Sequence, residues 1–155
     1  MPLPTEEEVK RMHRYFAVEC NNAAWDLAEA PERNDEQTQK MIRLAEVAAW
    51  HWSKVGMPIN VARADMLLGW ICNIVGQSTY AQSYTDAVAA QLQAKPEGMS
   101  EWDDAFFMLL EAYTRVNAGG LSGLDSLAAQ LDAARSKLDA SEQEVFDRFR
   151  AVVSV

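Results

Sequence analysis

Residues that typically begin or end helices divide this chain into seven segments. Their positions limit the possible folds more than any other feature of the sequence. The first segment begins with Thr5 and Glu8, the T-x-x-E pattern of a capping box, and ends at Pro31. Within each segment, apolar residues recur three and four positions apart, as they do on one face of an α-helix. No stretch of useful length alternates with period two, so we expect no β-strands. The sequence therefore predicts an all-α protein.

The same signals predict the boundaries of the other six helices. We expect the second helix to start at Asn34 or Asp35 and to end at Gly56 and Pro58, and the third to run from Asn60 to Gly76. The fourth should run from Ser78 to Pro96, and the fifth from Ser100, with Asp103, to Gly119 and Gly120. The sixth should run from Leu124 to Leu138, and the seventh from a Ser141–Glu144 capping box to Val153. Short turns make neighbouring helices antiparallel. A chain of 155 residues with this pattern forms a single domain, residues 1–155.

Apolar residues on a second helix face distinguish a simple bundle from a stacked array of helical hairpins. At about 100° per residue, Val9 and Leu27 share one side of the first helix, whereas Val18 and Trp25 lie nearly opposite. A helix in a bundle needs one apolar stripe. A helix in a stacked array needs two, because it contacts its hairpin partner and also the next hairpin. The second face therefore favours the array.

The third and fourth helices resemble a tetratricopeptide repeat. In LLGWICNIVGQSTYAQSY, Gly69, Gly76 and Ala81 stand where that family places small residues at a close helix crossing and at the turn. The fifth and sixth helices carry a fainter version of the pattern, with Ala112 and Gly119 in the first two of these positions. The two turn glycines are 43 residues apart, against roughly 34 in the family.

Longer stretches resemble a group of short bacterial proteins with tetratricopeptide-like helices and no established role. These stretches are FAVECNNAAWDL, HWSKVGMPINVARADMLLGW and WDDAFFMLLEAYTRVNAGG. The resemblance implies a right-handed array of three antiparallel helical hairpins with a C-terminal capping helix. The broader repeat family implies a scaffold that binds peptides or partner proteins on a concave surface. The resemblance implies no reaction.

Composition narrows the class of partner. The formal charge is −9, from 23 acidic and 14 basic residues, and the basic residues are scattered, so we expect no nucleic-acid partner. No apolar run approaches the roughly 20 residues of a membrane span. The opening MPLPTEEEVKR lacks the basic start and apolar core of a signal peptide, so we expect a cytoplasmic protein without a membrane partner.

The two cysteines are expected to be free. Because the cytoplasm is reducing, Cys20 and Cys72 should be thiols rather than a disulfide.

Residues that could carry chemistry are few. His13 and His51 lie on the apolar stripes of adjacent helices and could meet in a metal site with Glu19 or Glu46, but the H-x-x-E-H and E-x-x-H spacings are absent. We therefore expect each ring to pack in the core and to bond a backbone carbonyl or a hydroxyl. Neither a nucleophile elbow nor a phosphate loop occurs. We expect no catalytic residue, no metal and no cofactor.

Polar and aromatic residues outside the apolar helix stripes are further candidates for a binding site. Arg63 and Asp65 flank the start of the third helix and could form a polar site with His51; the alternative is a cap and a surface pair. Trp50 projects away from its helix's apolar stripe, so it either packs against a neighbouring hairpin or stays exposed and binds a partner. The candidate binding residues are His13, Trp25, Trp50, His51 and Arg63.

Two functions from different classes are consistent with these observations. The leading hypothesis is a non-catalytic interaction or scaffold module for a protein or peptide partner, including a second copy of the chain. The rival hypothesis is a small-ligand-binding or enzymatic helical domain that uses the His13/His51 region.

Overall fold

The part of the chain that the structure describes forms seven α-helices joined by short connections. The computed structural model describes residues 3–120 and 122–155. The helices are α1 (Glu6–Glu29), α2 (Asp35–Val55), α3 (Pro58–Ile74), α4 (Ser78–Gln93), α5 (Glu101–Asn117), α6 (Leu124–Arg135) and α7 (Ala140–Val153). No strand occurs among these described residues, which confirms the predicted all-α class.

The capping box at the start of α1 forms as predicted. The N–H of Glu8 donates to Oγ1 of Thr5, and the N–H of Thr5 donates to the carboxylate of Glu8 at 2.7 Å. At α5, the N–H of Ser100 donates to the carboxylate of Asp103 at 2.8 Å. Such contacts satisfy N–H groups that have no partner within the helix and contribute about 1 kcal/mol each. Local sequence therefore sets where these two helices begin.

Two predicted boundaries are wrong by two or three residues. α3 begins at Pro58 rather than after Asn60, because proline fits the first helical position, where no N–H partner is needed. Asn60 instead accepts a hydrogen bond from the N–H of Met57 at 3.0 Å. α6 ends at Arg135 rather than Leu138.

The predicted capping box of α7 is displaced by two residues. Asp139 accepts a hydrogen bond from the N–H of Glu142 at 2.8 Å, and Glu142 accepts one from the N–H of Asp139. The predicted pair was Ser141 and Glu144. The hydroxyl of Ser141 instead donates to Asp139 at 2.8 Å. Asp139 thus forms the capping box that Ser141 was expected to form. Aspartate and serine are both favoured at the N-cap, so the sequence alone did not distinguish them.

α3 is the central helix of the fold. It packs along α4 and also contacts α1, α2 and α5, and eleven of its seventeen residues are buried. α1 packs along α2, and α5 contacts α6 and α7. α3 and α5 run in the same direction, because Arg63 meets Asp103 near their starts and Asn73 meets Thr114 near their ends.

Gly69 lies where α3 crosses both α4 and α5. A Cβ atom at this position would lie 3.2 Å from Cβ of Tyr84 and 3.2 Å from a methyl group of Leu110. These distances are shorter than an ordinary van der Waals contact, so the glycine allows the helices to approach closely. The predicted close crossing is confirmed. At the following turn, Gly76 takes the left-handed φ of 73° that glycine adopts without strain.

A buried polar network joins α3, α4 and α5. The side-chain amide of Asn73 donates to Thr114 Oγ1 at 2.9 Å and to the carbonyl of Gly69 at 3.2 Å. The hydroxyls of Thr114 and Thr85 share a hydrogen bond of 3.0 Å, and Asn117 donates to the side-chain oxygen of Asn73 at 3.1 Å. Each of the three helices therefore contributes a buried side chain, Asn73, Thr85 or Thr114, that bonds a side chain of another helix, and the exposed Asn117 closes the network at its outer end.

Both cysteines are free thiols. Cys72 is buried and Cys20 is half-buried. Burial raises the pKa of each thiol above its ordinary value, so both are protonated at neutral pH and neither is an activated nucleophile.

None of the helices in the described part of the chain has both the length and the apolarity needed to cross a membrane.

Candidate functional site

Four helices from the whole length of the chain converge on one pocket. We call it the aromatic pocket; its volume is about 340 Å³. It is lined by α1, α3, α5 and α7, that is, by alternate helices of the chain. The lining residues are Asn21, Trp25, Glu29, Arg63, Met66, Trp102, Asp103, Phe106, Val145 and Phe149.

Aromatic rings form the floor and walls of this pocket. Phe106 and Phe149 are buried and pack edge to face, with ring centroids 5.1 Å apart, against the buried Trp70. Trp25 is half-buried and lies 5.4 Å from each of the two phenylalanine rings. Trp102, also half-buried, stacks on Phe106 at 5.8 Å. The pocket thus offers two partly exposed indole rings over a rigid aromatic base, which suits a bulky apolar group.

An ion pair between α3 and α5 forms one side of the pocket. Arg63 donates from Nε and Nη2 to the two carboxylate oxygens of Asp103, at 2.7 and 2.8 Å. Asp103 is only 1% exposed, whereas the side chain of Arg63 is 44% exposed. Burial opposes ionisation of Asp103, but hydrogen bonds from Arg63 and Ser100 outweigh it and hold the pKa of the carboxyl below 3.8. The pair is therefore charged at neutral pH.

Two polar groups at the aromatic pocket keep hydrogen-bonding capacity. The contacts of Arg63 use Nε and Nη2, and within the described residues Nη1 has no acceptor. The side-chain amide of Asn21 likewise has no partner there and lines the same pocket. Both groups can donate to carbonyl oxygens of a ligand.

A second pocket adjoins the first, and we call it the arginine pocket. Its volume is also about 340 Å³, and it shares Glu29 and Phe149 with the aromatic pocket. Arg33 lines it while donating from Nη1 to three carbonyls at the end of α1. Arg148 lines it as well and pairs with Glu29 at 3.3 Å. Two arginines and one glutamate give the arginine pocket a local positive charge, although the protein as a whole is acidic.

His13 and His51 do meet, but not as predicted. Their Nδ1 atoms are 2.8 Å apart, so one ring donates to the other instead of to a backbone carbonyl or hydroxyl. Both rings are half-buried rather than in the core, and the rings of Phe16 and Trp50 lie beside them. No group of three or more histidine, cysteine or acidic side chains that could hold a metal occurs in residues 3–120 and 122–155.

The other sequence-predicted site residues fall in two separate places. Trp25 and Arg63 lie together at the aromatic pocket. Arg63 forms no site with His51, and Asp65 bonds Gln91 of α4 instead. Trp50 does not pack against a neighbouring hairpin: its side chain is 54% exposed and lies beside the histidine pair.

Sequence reasoning missed three aromatic residues that line the aromatic pocket. Trp102, Phe106 and Phe149 lie on α5 and α7, and their apolar spacing predicts helix faces without showing which faces meet. The signal that was available is the second apolar face of α1, which carries Trp25.

Acidification is expected to destabilise the protein through the histidine pair. Burial and the neighbouring His13 lower the pKa of His51 below 6.5, so the folded state binds fewer protons than the unfolded state. This contribution to stability is complete above pH 6.5 and decreases as the pH falls below that value. The melting temperature should therefore fall between pH 7.5 and 5.5, and less steeply in His51→Gln. Equal slopes in the two proteins would show that protonation of His51 does not contribute to unfolding.

No protein-family model matches this chain, and no curated protein or solved structure matches it either.

Proposed function

We propose that this protein is a non-catalytic, cytoplasmic interaction module with a tetratricopeptide-like arrangement. In this proposal α1–α2, α3–α4 and α5–α6 are the three hairpins of a right-handed array, and α7 is the capping helix. Three observations support it: the close crossing at Gly69, the parallel course of α3 and α5, and the contacts of α3 with the hairpin on either side.

The observation that carries the proposal is the groove on the odd-numbered helices. The aromatic and arginine pockets share residues and together run along α1, α3, α5 and α7. In a stacked array, the equivalent helix of each hairpin faces the same side, so one continuous surface forms from distant parts of the sequence. A groove of this kind fits an extended or helical peptide segment.

The chemistry of the two pockets defines the segment that would bind. The aromatic pocket takes one large apolar side chain between Trp25 and Trp102, with Asn21 and Arg63 donating to backbone carbonyls of the peptide. The arginine pocket takes a carboxylate, from an acidic side chain or a chain terminus, near Arg148. The proposed ligand is thus a peptide with an apolar anchor close to a negative charge.

The rival function, a small-ligand or enzymatic site at His13 and His51, has less support. The two rings bond each other, and within the described residues no carboxylate or thiol completes a ligand set or a catalytic arrangement with them. The groove, by contrast, combines a pocket, exposed aromatic surface and free donors.

Selection of peptides from a random displayed library tests this proposal. Enriched sequences should combine an aromatic or large aliphatic residue with an acidic residue or a free C-terminus. Synthetic versions should bind the wild-type protein, and Arg148→Gln should weaken them by about tenfold, because a charge-assisted hydrogen bond is lost.

A matched pair of variants locates the binding site. Asn21→Arg places a long side chain in the aromatic pocket and should weaken peptide binding by at least about tenfold. Asn22→Arg makes the same chemical change at an exposed neighbouring position that does not line the pocket, and should leave binding unchanged. The proposal fails if no peptide is enriched, or if Asn21→Arg and Asn22→Arg bind equally well.

A further inference from the structure

The first hairpin exposes a concentrated apolar surface that the groove does not include. Among the described residues, eleven large apolar side chains are exposed, and seven of them lie on α1 and α2: Val9, Met12, Tyr15, Phe16, Val18, Val47 and Trp50. We call the part formed by Met12, Tyr15, Phe16, Val47 and Trp50 the outer face. Contiguous exposed apolar surface of this kind marks an interaction site.

The outer face points away from the rest of the molecule. Ala17 of α1 and Trp52 of α2 pack against Ala64 of α3. Tyr15 and Trp50 each precede one of these residues by two positions, which places them about 160° around the helix from the inner contact. The outer face is therefore an end surface of the helical stack.

Two rows of residues, one on α1 and one on α2, cross the outer face with the same spacing, and we call them stripes. Each stripe advances by four, three and four residues, the spacing with which two helices pack side by side. On α1 the stripe is Glu8, Met12, Tyr15 and Glu19; on α2 it is Arg43, Val47, Trp50 and Lys54. Both stripes have apolar residues in the middle and charges at the ends, and the charges are acidic on α1 and basic on α2.

Three of the four charged stripe ends form no ion pair with any residue that the structure describes. In the described residues, Glu19, Arg43 and Lys54 take part in no ion pair. Lys54 lies over the ring of Trp50, 5.3 Å from its centroid. Glu8 is engaged only in capping α1. The stripes thus keep their charges available for another molecule.

Because α1 and α2 are antiparallel, the stripe on α1 of one copy can match the stripe on α2 of a second copy. His13 near the start of α1 meets His51 near the end of α2, so low numbers on α1 lie level with high numbers on α2. If α1 of one copy lies along α2 of another, the following residues face each other: Glu8 and Lys54, Met12 and Trp50, Tyr15 and Val47, and Glu19 and Arg43. Farther along, Asp26 would face Glu36, which confines the favourable contact to these four levels.

We propose that a second copy of this chain covers the outer face, in a two-fold symmetric dimer in which α1 of each copy packs along α2 of the other. A two-fold interface uses the same surface twice, which fits two stripes whose ends are acidic on α1 and basic on α2. This dimer goes beyond the proposed function and leaves the groove open, since neither pocket is lined by an outer-face residue.

Sedimentation or light scattering of the full chain tests the dimer. The wild-type particle should have twice the chain mass of 17.3 kDa. Glu19→Arg and Arg43→Glu should each raise the dissociation constant by about tenfold or more, because each places like charges opposite one another. The double variant Glu19→Arg/Arg43→Glu restores opposite charges and should restore the dimer. Glu97→Arg, at an exposed position in the α4–α5 connection, is the matched control and should dimerise normally.

A second variant tests the apolar centre of the interface. Trp50→Ala should dissociate the dimer while leaving the helical content and melting of the isolated monomer nearly unchanged, because the ring is largely exposed. A wild-type monomer at about 0.1 mM would overturn the proposal, since a specific dimer forms well below that concentration. Failure of the charge-swapped double variant to restore association would also overturn it. A third result would overturn it: the monomer binds anionic lipid vesicles and Trp50→Ala abolishes this binding. The outer face would then bind a membrane surface instead of a second copy.

Discussion

Leucine in place of Gly69 should destabilise the protein by about 3 kcal/mol or more, or prevent folding. A Cβ atom alone would already lie 3.2 Å from Tyr84 and Leu110, and leucine adds three further carbons at a three-helix crossing. Overpacking of this kind costs roughly 1–3 kcal/mol where neighbours can move. Here Leu110 is buried in the core and Tyr84 packs against the core, so neither can move away easily. Urea denaturation followed by circular dichroism measures the loss.

Gly69→Ala is the control for this substitution. The single methyl group is crowded, but alanine favours a helix over glycine by about 1 kcal/mol, so the two effects nearly cancel. We expect stability within about 1 kcal/mol of wild type. Unchanged stability of Gly69→Leu would mean that the helices do not cross closely at Gly69, and the tetratricopeptide-like arrangement would lose its main structural support.

Removal of the Arg63 side chain should cost about 2–3 kcal/mol at neutral pH. Arg63→Ala leaves the carboxylate of Asp103 buried without its cation, and breaking a buried pair costs about 3–5 kcal/mol. The lower figure applies because the arginine is partly exposed and water can reach the gap. Chemical denaturation at pH 7 gives the value.

The pH dependence of that loss identifies its cause. The folded-state pKa of Asp103 lies below 3.8, so the stability that its charge contributes is present above pH 3.8 and is lost as the pH falls through the folded value. In Arg63→Ala the carboxyl is buried without its cation, so its pKa rises and it becomes neutral at a higher pH than in wild type. The difference in stability between the two proteins should therefore shrink as the pH is lowered through the acidic range. A difference that stays constant with pH would attribute the loss to packing of the arginine stem.

Local signals predicted the helices well because capping and turn formation depend on a few neighbouring residues. Thr5 with Glu8 and Ser100 with Asp103 begin helices as expected, and Gly76 forms its turn. The same reasoning misplaced the start of α3, because Pro58 both follows one helix and begins the next. Periodicity does not distinguish these two roles of a proline.

The groove was less predictable because it depends on which distant helices meet. Trp25 was selected from its position on a second apolar face, and Arg63 from its polar character near a helix start. Their common location follows from the meeting of α1 and α3 with α5 and α7, which no local pattern specifies. The contact between His13 and His51 is a similar case, since it depends on the register of two helices to within one residue.

The hydrogen bonds among the buried side chains of Asn73, Thr85 and Thr114 affect how the chain selects one packing arrangement. A core of alanine and leucine tolerates a slip of one helix along another, since a similar apolar side chain recurs after each turn of 5.4 Å. The network does not, because such a slip would break the bonds that Asn73 and Thr85 make to the buried hydroxyl of Thr114. A buried polar group left without a partner costs about 1–3 kcal/mol. Misregistered arrangements of α3, α4 and α5 are therefore penalised even when their apolar burial equals that of the native state.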